Sequence, residues 1–350
     1  MKETQSLPFI FPRKFDYQLQ PYTVGGLLYT PASHVHIASR LLERRIPYLQ
    51  SLALCLEDAI DDSAVEASEA TLIQTFETLH RAIDADTFAL DELPFLFVRV
   101  RTADQFMRIA SHPICRPLLT GFILPKFSCH NMQSYFAALA DANALAFPPV
   151  RIMPTLESAD IASIFTRQET LAAIRQALEP FRETVLNIRV GGNDFCNLFH
   201  VRRHLNETIY AIMPVRDILS DILNVFSGDF VVSGPVWEYF STDRADTQWK
   251  NGLLHEIALD QLNGFIGKTA IHPTQLLTIR QAMRVQESDH RDAQTILCWQ
   301  DEQLGVGKSV GGNRMNERKV HQNWANKTQN LAAVYGVCEE EEEENPAHDA

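Results

Sequence analysis

The chain of 350 residues has no window near the ~18 consecutive apolar residues that span a bilayer. No membrane partner is expected. Its first dozen residues lack the long apolar core of a secretory signal, so the expected location is the cytoplasm. The six cysteines (Cys55, Cys115, Cys129, Cys196, Cys298 and Cys338) include no Cys-x-x-Cys pair. In a chain of this size that reads as reduced thiols rather than a disulfide framework. Neither a Ser/His nor a Cys/His nucleophile arrangement emerges. His34 and His36 stand two apart on a helix-like stretch and do not share a face as metal ligands would. Basic residues are outnumbered, with 31 Lys and Arg against 44 Asp and Glu, a net charge of −13 that argues against a nucleic-acid partner. Part of that charge is local, because Glu339 to Glu344 form one acidic run; removing these six from −13 leaves −7. Such a run repels itself, and residues 338–350 are expected to form a solvated, disordered tail.

What is present is a repeating alternation. Eight short apolar runs read as strands: Gly25–Tyr29, Leu52–Leu56, Phe95–Val100, Gly121–Leu124, Val150–Leu156, Val185–Val190, Phe230–Val232 and Gly264–Ile271. Segments of helical periodicity lie between them, clearest over 35–45, 68–85, 132–140, 161–178 and 216–225. Buried strands alternating with amphipathic helices imply a parallel sheet, and eight units in about 250 residues suit a closed (β/α)8 barrel. The competing open sheet needs a Gly-rich phosphate turn after an early strand, whereas Gly25-Gly26 precede theirs. The expected class is therefore α/β. Residues 1–275 form the TIM barrel and 276–337 an appended helical segment that caps the mouth or meets a neighbouring subunit. Within that segment Gly305 to Ser309 hints at a phosphate loop. The full pattern needs Gly at Glu302, so a plain loop is expected.

The runs break off at charged residues. Arg151 to Leu156 leads into Glu157, and Val185 to Val190 leads through two glycines into Asp194. A buried strand that delivers a carboxylate at its C-terminal tip suits a metal site at a barrel mouth. Two hard carboxylates without a Cys/His cluster suit Mg, with Mn as the substitute, because water and substrate oxygens complete the shell. The second strand ends in Glu57-Asp58, and the third carries Arg99, which faces opposite to Val98 and Val100. A charge there needs a partner or an anionic ligand. Lys126 follows the fourth strand and reads as a structural rim lysine or a substrate contact. Arg189 suits an internal pair with Glu157 or Asp194 as well as it suits a substrate. His272, before Pro273, reads as an anchor of the last strand. Singly, each carboxylate is also an ordinary helix-start residue.

These residues stand in a series: Tyr29-Thr30-Pro31-Ala32, Leu56-Glu57-Asp58-Ala59, Val98-Arg99-Val100, Leu124-Pro125-Lys126, Thr155-Leu156-Glu157-Ser158, Gly191-Gly192-Asn193-Asp194 and Gly267 to Pro273. In order and spacing the series resembles the citrate-lyase β-subunit and 2-oxo-acid aldolase superfamily from about Gly25 to Gln275. The resemblance implies a Mg-dependent carbon–carbon lyase that works through a metal-stabilised enolate on a 2-oxo acid or an acyl thioester such as one of CoA. It implies Glu157 and Asp194 as metal ligands, Arg99 as the grip on the oxo-acid end, and Glu57 and Asp58 as the acidic pair that orders metal-bound water and assists proton transfer. It adds the first-strand loop from Tyr29 through Pro31 to Ala32 on the acyl-carrier side and a homo-oligomer, trimer or hexamer, as the assembly; Lys126, Arg189 and Gly192 stand at the same mouth as candidate substrate contacts. Three positions depart from the family pattern: Cys55 where an Asp is usual, Gly192-Asn193 in place of Ala-Glu, and Arg101 in place of Asn. They point to a divergent branch, found near tellurite-resistance and stress genes. Thioester hydrolysis by the same site, and a non-catalytic metabolite-binding or scaffold barrel, are the alternatives.

Overall fold

The computed structural model describes residues 7–243, 245–300 and 303–338; the acidic run falls outside them. Two compact units divide the chain, residues 1–282 and 283–350. Among the described residues no helix is long and apolar enough to cross a membrane.

The first unit is built on seven parallel strands: β1 (Gly26–Pro31), β2 (Ser51–Cys55), β3 (Phe95–Arg99), β4 (Gly121–Leu124), β5 (Arg151–Leu156), β6 (Arg189–Val190) and β7 (Lys268–Ala270). They pair in the order β6-β5-β4-β3-β2-β1-β7. The expected seventh strand is reduced to a segment that makes single bridges, Ile188 to Val232 and Gly234 to Lys268. Backbone bonds through it (Ser233 N to Ile188 O, 2.9 Å; Ile266 N to Val232 O, 2.8 Å) join β6 to β7 and close the ring. Pro235 follows directly after the Gly234 bridge and has no N–H to continue the ladder. Helices follow the strands as the barrel expectation requires.

Alternation sorts the strand residues onto two faces. Leu27, Ala53, Phe95, Phe97, Ile123, Met153 and Leu186 point inward and fill the lower barrel with apolar volume. Tyr29 packs on this plug, so the layer above it is where polar groups begin. The outer faces meet the helices, as where the Phe106 and Phe122 rings approach to 4.0 Å. The apolar period over 161–178 runs through a break. A short helix Ala159–Ala162 ends and a new one starts at Arg167. The Arg167 guanidinium folds back onto the carbonyls of Ile161 (2.9 Å) and Ala162 (2.8 Å), satisfying the end of the short helix.

The outer face of β7 breaks the apolar rule. Lys268, fully buried, points away from the barrel mouth into the helix Gln248–Asn263, where its Nζ meets Glu256 (2.7 Å) and Asp260 (2.6 Å). Arg203 pairs with the same Glu256 at 2.8 Å, and the Tyr210 hydroxyl donates to Asp260 at 2.7 Å. Burial, opposed by Lys268 and aided by Glu256, pushes Asp260 up to about 6. This network fastens the closing strand to its helix.

In the second unit β8 (Val285–Gln286) pairs in parallel with β11 (Val337–Cys338). The helices Glu287–Leu297 and Gln322–Tyr335 pack through Ala293, Ile296 and Ala325. The glycine-rich stretch is an antiparallel hairpin of β9 (Val306–Lys308) and β10 (Met315–Glu317). Asp292 accepts its Val310 amide at 2.9 Å and the Arg314 Nε at 2.6 Å, a carboxylate where a phosphate would stand.

Removing the buried cation tests the closure. Lys268→Met leaves Glu256 and Asp260 short of a counter-charge and should cost about 3–5 kcal/mol of stability in a denaturant titration. An unchanged midpoint would show that the network does not hold β7.

Candidate active site

The strand tips meet at the C-terminal end of the barrel. Arg99, the last residue of β3, is 9% exposed and turns its guanidinium across the mouth. Its Nη2 lies 2.9 Å from Glu57, 3.0 Å from Asp58 and 3.1 Å from Glu157. Lys126 follows β4 with φ +48°, and this left-handed turn aims its amide at Glu157 Oε1, 2.8 Å away. Its ammonium spans to Glu57 (2.5 Å) and Asp58 (3.1 Å). Lys126 is therefore part of the cluster through both backbone and side chain, not a detached rim lysine.

Glu157 is nearly buried, and Asp194 enters from the first turn of the helix Gly192–Leu198. Gly191 shows how closely they meet. A Cβ there would stand 2.2 Å from Glu157 Oε2 and 2.9 Å from Asp194 Oδ2, so only glycine leaves room. Two carboxylates in one poorly hydrated place resist ionisation together. Burial, with Asp194 adding to it and Arg99 opposing it, pushes Glu157 up to about 8. Asp194 is also raised, by burial and then by Asp58. Asp58, after β2, behaves differently. Burial works against Asp58, but its contacts with Glu57, Arg99 and Lys126 outweigh it and hold the carboxyl below its usual range. Burial opposes the charge of Arg99 and Lys126 too, and the surrounding carboxylates reverse that and raise both.

The donor set fits a hard divalent cation. Among the described residues no three His, Cys, Asp or Glu side chains gather as a metal cluster, so an ion would take Glu157 and Asp194 and complete its shell with water or substrate oxygens. The volume kept open by Gly191 is the cradle, and the crowded negative charge is what a cation neutralises.

Residues 18–337 match the model of the C–C bond lyases of the TIM-barrel fold. The chain belongs to that family. No curated protein matches the sequence. CitE of Mycobacterium tuberculosis, in complex with magnesium, acetoacetate and coenzyme A, is 18% identical with a TM-score of 0.59, over 89% of this chain and 99% of that one. CitE with magnesium and acetoacetate gives 19%, 0.51, 75% and 92%, and CitE with magnesium and pyruvate gives 20%, 0.50, 75% and 92%. At these identities the likeness is one of fold.

The remaining candidates of this lyase-family chain separate. Tyr29 stands on β1 with its ring centroid 5.9 Å from the Arg99 guanidinium. Arg189 pairs with neither Glu157 nor Asp194; its Nη2 donates to Thr269 on β7. Pro31 is exposed at the tip of β1, and Gly192 is packed against Ile209 and Pro235. His272 stacks on Phe240 with ring centroids 4.3 Å apart and is bonded to Thr274, an anchor after β7 as expected.

Two residues gain roles that sequence reasoning did not assign. Gly191 sets the spacing of the carboxylates, and its signal was the glycine pair before Asp194. Arg101, one of the family departures, clamps the acidic loop. Its Nε bonds Leu56 O at 2.6 Å, its Nη2 bonds Glu57 O at 3.1 Å and also Ile60 O, and its Nη1 pairs with Asp62. Its own amide is held by Gln105 at 2.8 Å. Such a fork fixes the direction in which Glu57 and Asp58 leave β2.

The raised Glu157 has a consequence for stability. A carboxylate lifted from its usual 4.5 to about 8 stabilises the fold fully below pH 4.5, and that contribution is lost as pH rises through 8. In the presence of a chelator, melting temperature should fall across this range, and Glu157→Gln should flatten the fall. Above pH 8 the variant should melt higher by at least about 2–4 °C, the shift of roughly 1 kcal/mol in a domain of this size. Parallel curves for the two proteins would contradict the assignment.

Proposed function

We propose that the chain is a Mg-dependent lyase that breaks or forms a carbon–carbon bond adjacent to a carbonyl, on a 2-oxo-acid or acyl-thioester substrate. The observation that carries this is the convergence of Glu157 and Asp194 on the space beside Gly191, with Arg99 at its edge. The magnesium and small oxo acids bound by the CitE structures support the same reading.

When bound, the ion supplies Lewis-acid polarisation of the substrate carbonyl and stabilises the negative charge that develops there. The protein's own groups supply the rest. Arg99 offers its guanidinium to the anionic end of the substrate, and Lys126 with Glu57 keeps the mouth's charge balanced as it does so. Asp58, held ionised and half exposed, is the group fit to accept the proton removed from carbon in condensation and to return it in cleavage. Arg101 keeps Asp58 at that place. A recess of ≈ 540 Å³ lined by Glu57, Asp58, Ala59, Ile60, Asp61, Asp62, Arg101 and Lys126 opens beside them. A thioester carrier such as CoA would lie over the β1 tip, from Tyr29 to Ala32.

The direct test follows carbon–carbon cleavage and condensation by mass spectrometry on a panel of 2-oxo acids and acyl-CoA thioesters, with and without Mg. Asp194→Asn should fold normally and turn over at below about 1% of the wild-type rate. Full Mg-dependent turnover in Asp194→Asn would sink the metal assignment. Hydrolysis of a thioester without any carbon–carbon exchange would replace the lyase reading with a hydrolase one.

A further inference from the structure

The second unit carries a patch of charge opposite to that of the chain. Residues 305–321 hold Lys308, Arg314, Arg318 and Lys319 against Glu317 alone, four positive charges and one negative in a chain of net −13. The hairpin of β9 and β10 presents them to water. Gly307 turns inward against Trp299, and its register partner Asn316 is buried beside Asp292. Val306, Lys308 and Met315, one residue away along the strands, therefore stand on the outer face. Arg314 is held by Asp289 and Asp292, but Lys308, Arg318 and Lys319 are exposed and, among the described residues, form no ion pair. An open recess of ≈ 490 Å³ lies beside them, lined by Val306 to Lys308 and Gly312 to Met315.

The same unit ends in the acid that this face lacks. Val337 and Cys338 pair with Val285 and Gln286, and the Arg284 Nη2 donates to Val337 O at 2.5 Å, so the chain leaves β11 at a fixed place beside Gln286. Asp289, in the first turn of the helix Glu287–Leu297, holds Arg314 at 2.7 Å. It lies three residues beyond Gln286, about 5 Å along the helix axis. The next six residues, Glu339 to Glu344, are outside the described ones; fully extended they span about 20 Å. The stretch from Arg314 to Lys319 covers about 17 Å, so the whole basic face is within reach. Six like charges in a row repel one another, and a face of cations relieves that repulsion while attracting each charge. A single exposed ion pair contributes little. A tethered segment meets its face at an effective concentration in the millimolar range, so several weak pairs act together.

We propose that the outer face of the β9–β10 hairpin is an anion-recognition surface whose occupant is the chain's own Glu339–Glu344 run. Lys308, Arg318 and Lys319 are the contacts, and the pair forms a salt-sensitive latch within the second unit. The latch does not depend on the lyase reading of the barrel.

Zero-length carbodiimide cross-linking of the full chain, read by mass spectrometry, tests it. An equal mixture of isotope-labelled and unlabelled chains, equilibrated to exchange any subunits, shows which copy supplies each carboxyl. At low salt Lys308 or Lys319 should form amide links to residues 339–344 of the same chain. Their yield should fall about tenfold or more at about 1 M salt, where the Debye length is about 3 Å. Arg318→Glu leaves both lysines reactive and should lower the yield about threefold. Glu339→Gln through Glu344→Gln, made together, keep the chain length and remove the charge. Hydrogen exchange of the hairpin amides should then run about threefold or more faster than in the wild type. Absent links at low salt, or hairpin exchange unchanged by the six Gln, would overturn the latch. Links only between chains of different label would overturn it too, by giving the face to a second copy.

Discussion

Two carboxylates forced into one poorly hydrated space are the constraint from which the rest of this site follows. Glu157 and Asp194 arrive from adjacent units of the barrel, and Gly191 removes the one side chain that would hold them apart. A fold does not gain from such crowding, since each charge raises the cost of the other. The arrangement makes sense as a place where a cation completes the charge. The surrounding groups then read as consequences: Arg99 and the Lys126 amide lean on Glu157, and the Lys126 ammonium collects the acidic pair of β2 on the opposite side.

The barrel separates tasks by layer. Apolar residues from Leu27 to Leu186 fill the lower interior, and the polar groups stand above them at or just beyond the strand ends. Where a loop brings acids to the mouth, as with Glu57-Asp58, Arg101 ties its carbonyls to the neighbouring strand. On the outside, the fully buried Lys268 and Glu256 take over the fastening where hydrogen bonding in the ring is weakest, at the short segment after Phe230.

Much of this was legible in the chain. Strands of buried residues ending in Glu157, Asp194 and Arg99 announce themselves, because a charge at the end of an apolar run has nowhere to go but the mouth of a barrel. The family motifs added the resemblance to a lyase family, and membership over residues 18–337 bears that resemblance out. Other features depend on three-dimensional closeness that no periodicity carries. The break between Ala162 and Arg167 hangs on a side chain that folds back on its own backbone. The outward turn of Lys268 needs the identity of the helix it meets, and the isolation of Arg189 from both acids is a matter of one layer of depth. Arg101 stood out as a departure from the family pattern, yet its work on the β2 loop is visible only in its hydrogen bonds.

The claim on which everything else hangs is that Glu157 and Asp194 share one divalent ion. A crystal structure grown with Mn in place of Mg, read by anomalous scattering, measures it directly. One anomalous peak about 2.0–2.2 Å from a carboxylate oxygen of each residue, beside Gly191, is the expected result. A peak bound by Glu57 and Asp58 instead, or carboxylates of 157 and 194 that stay apart in an ion-saturated crystal, would contradict it.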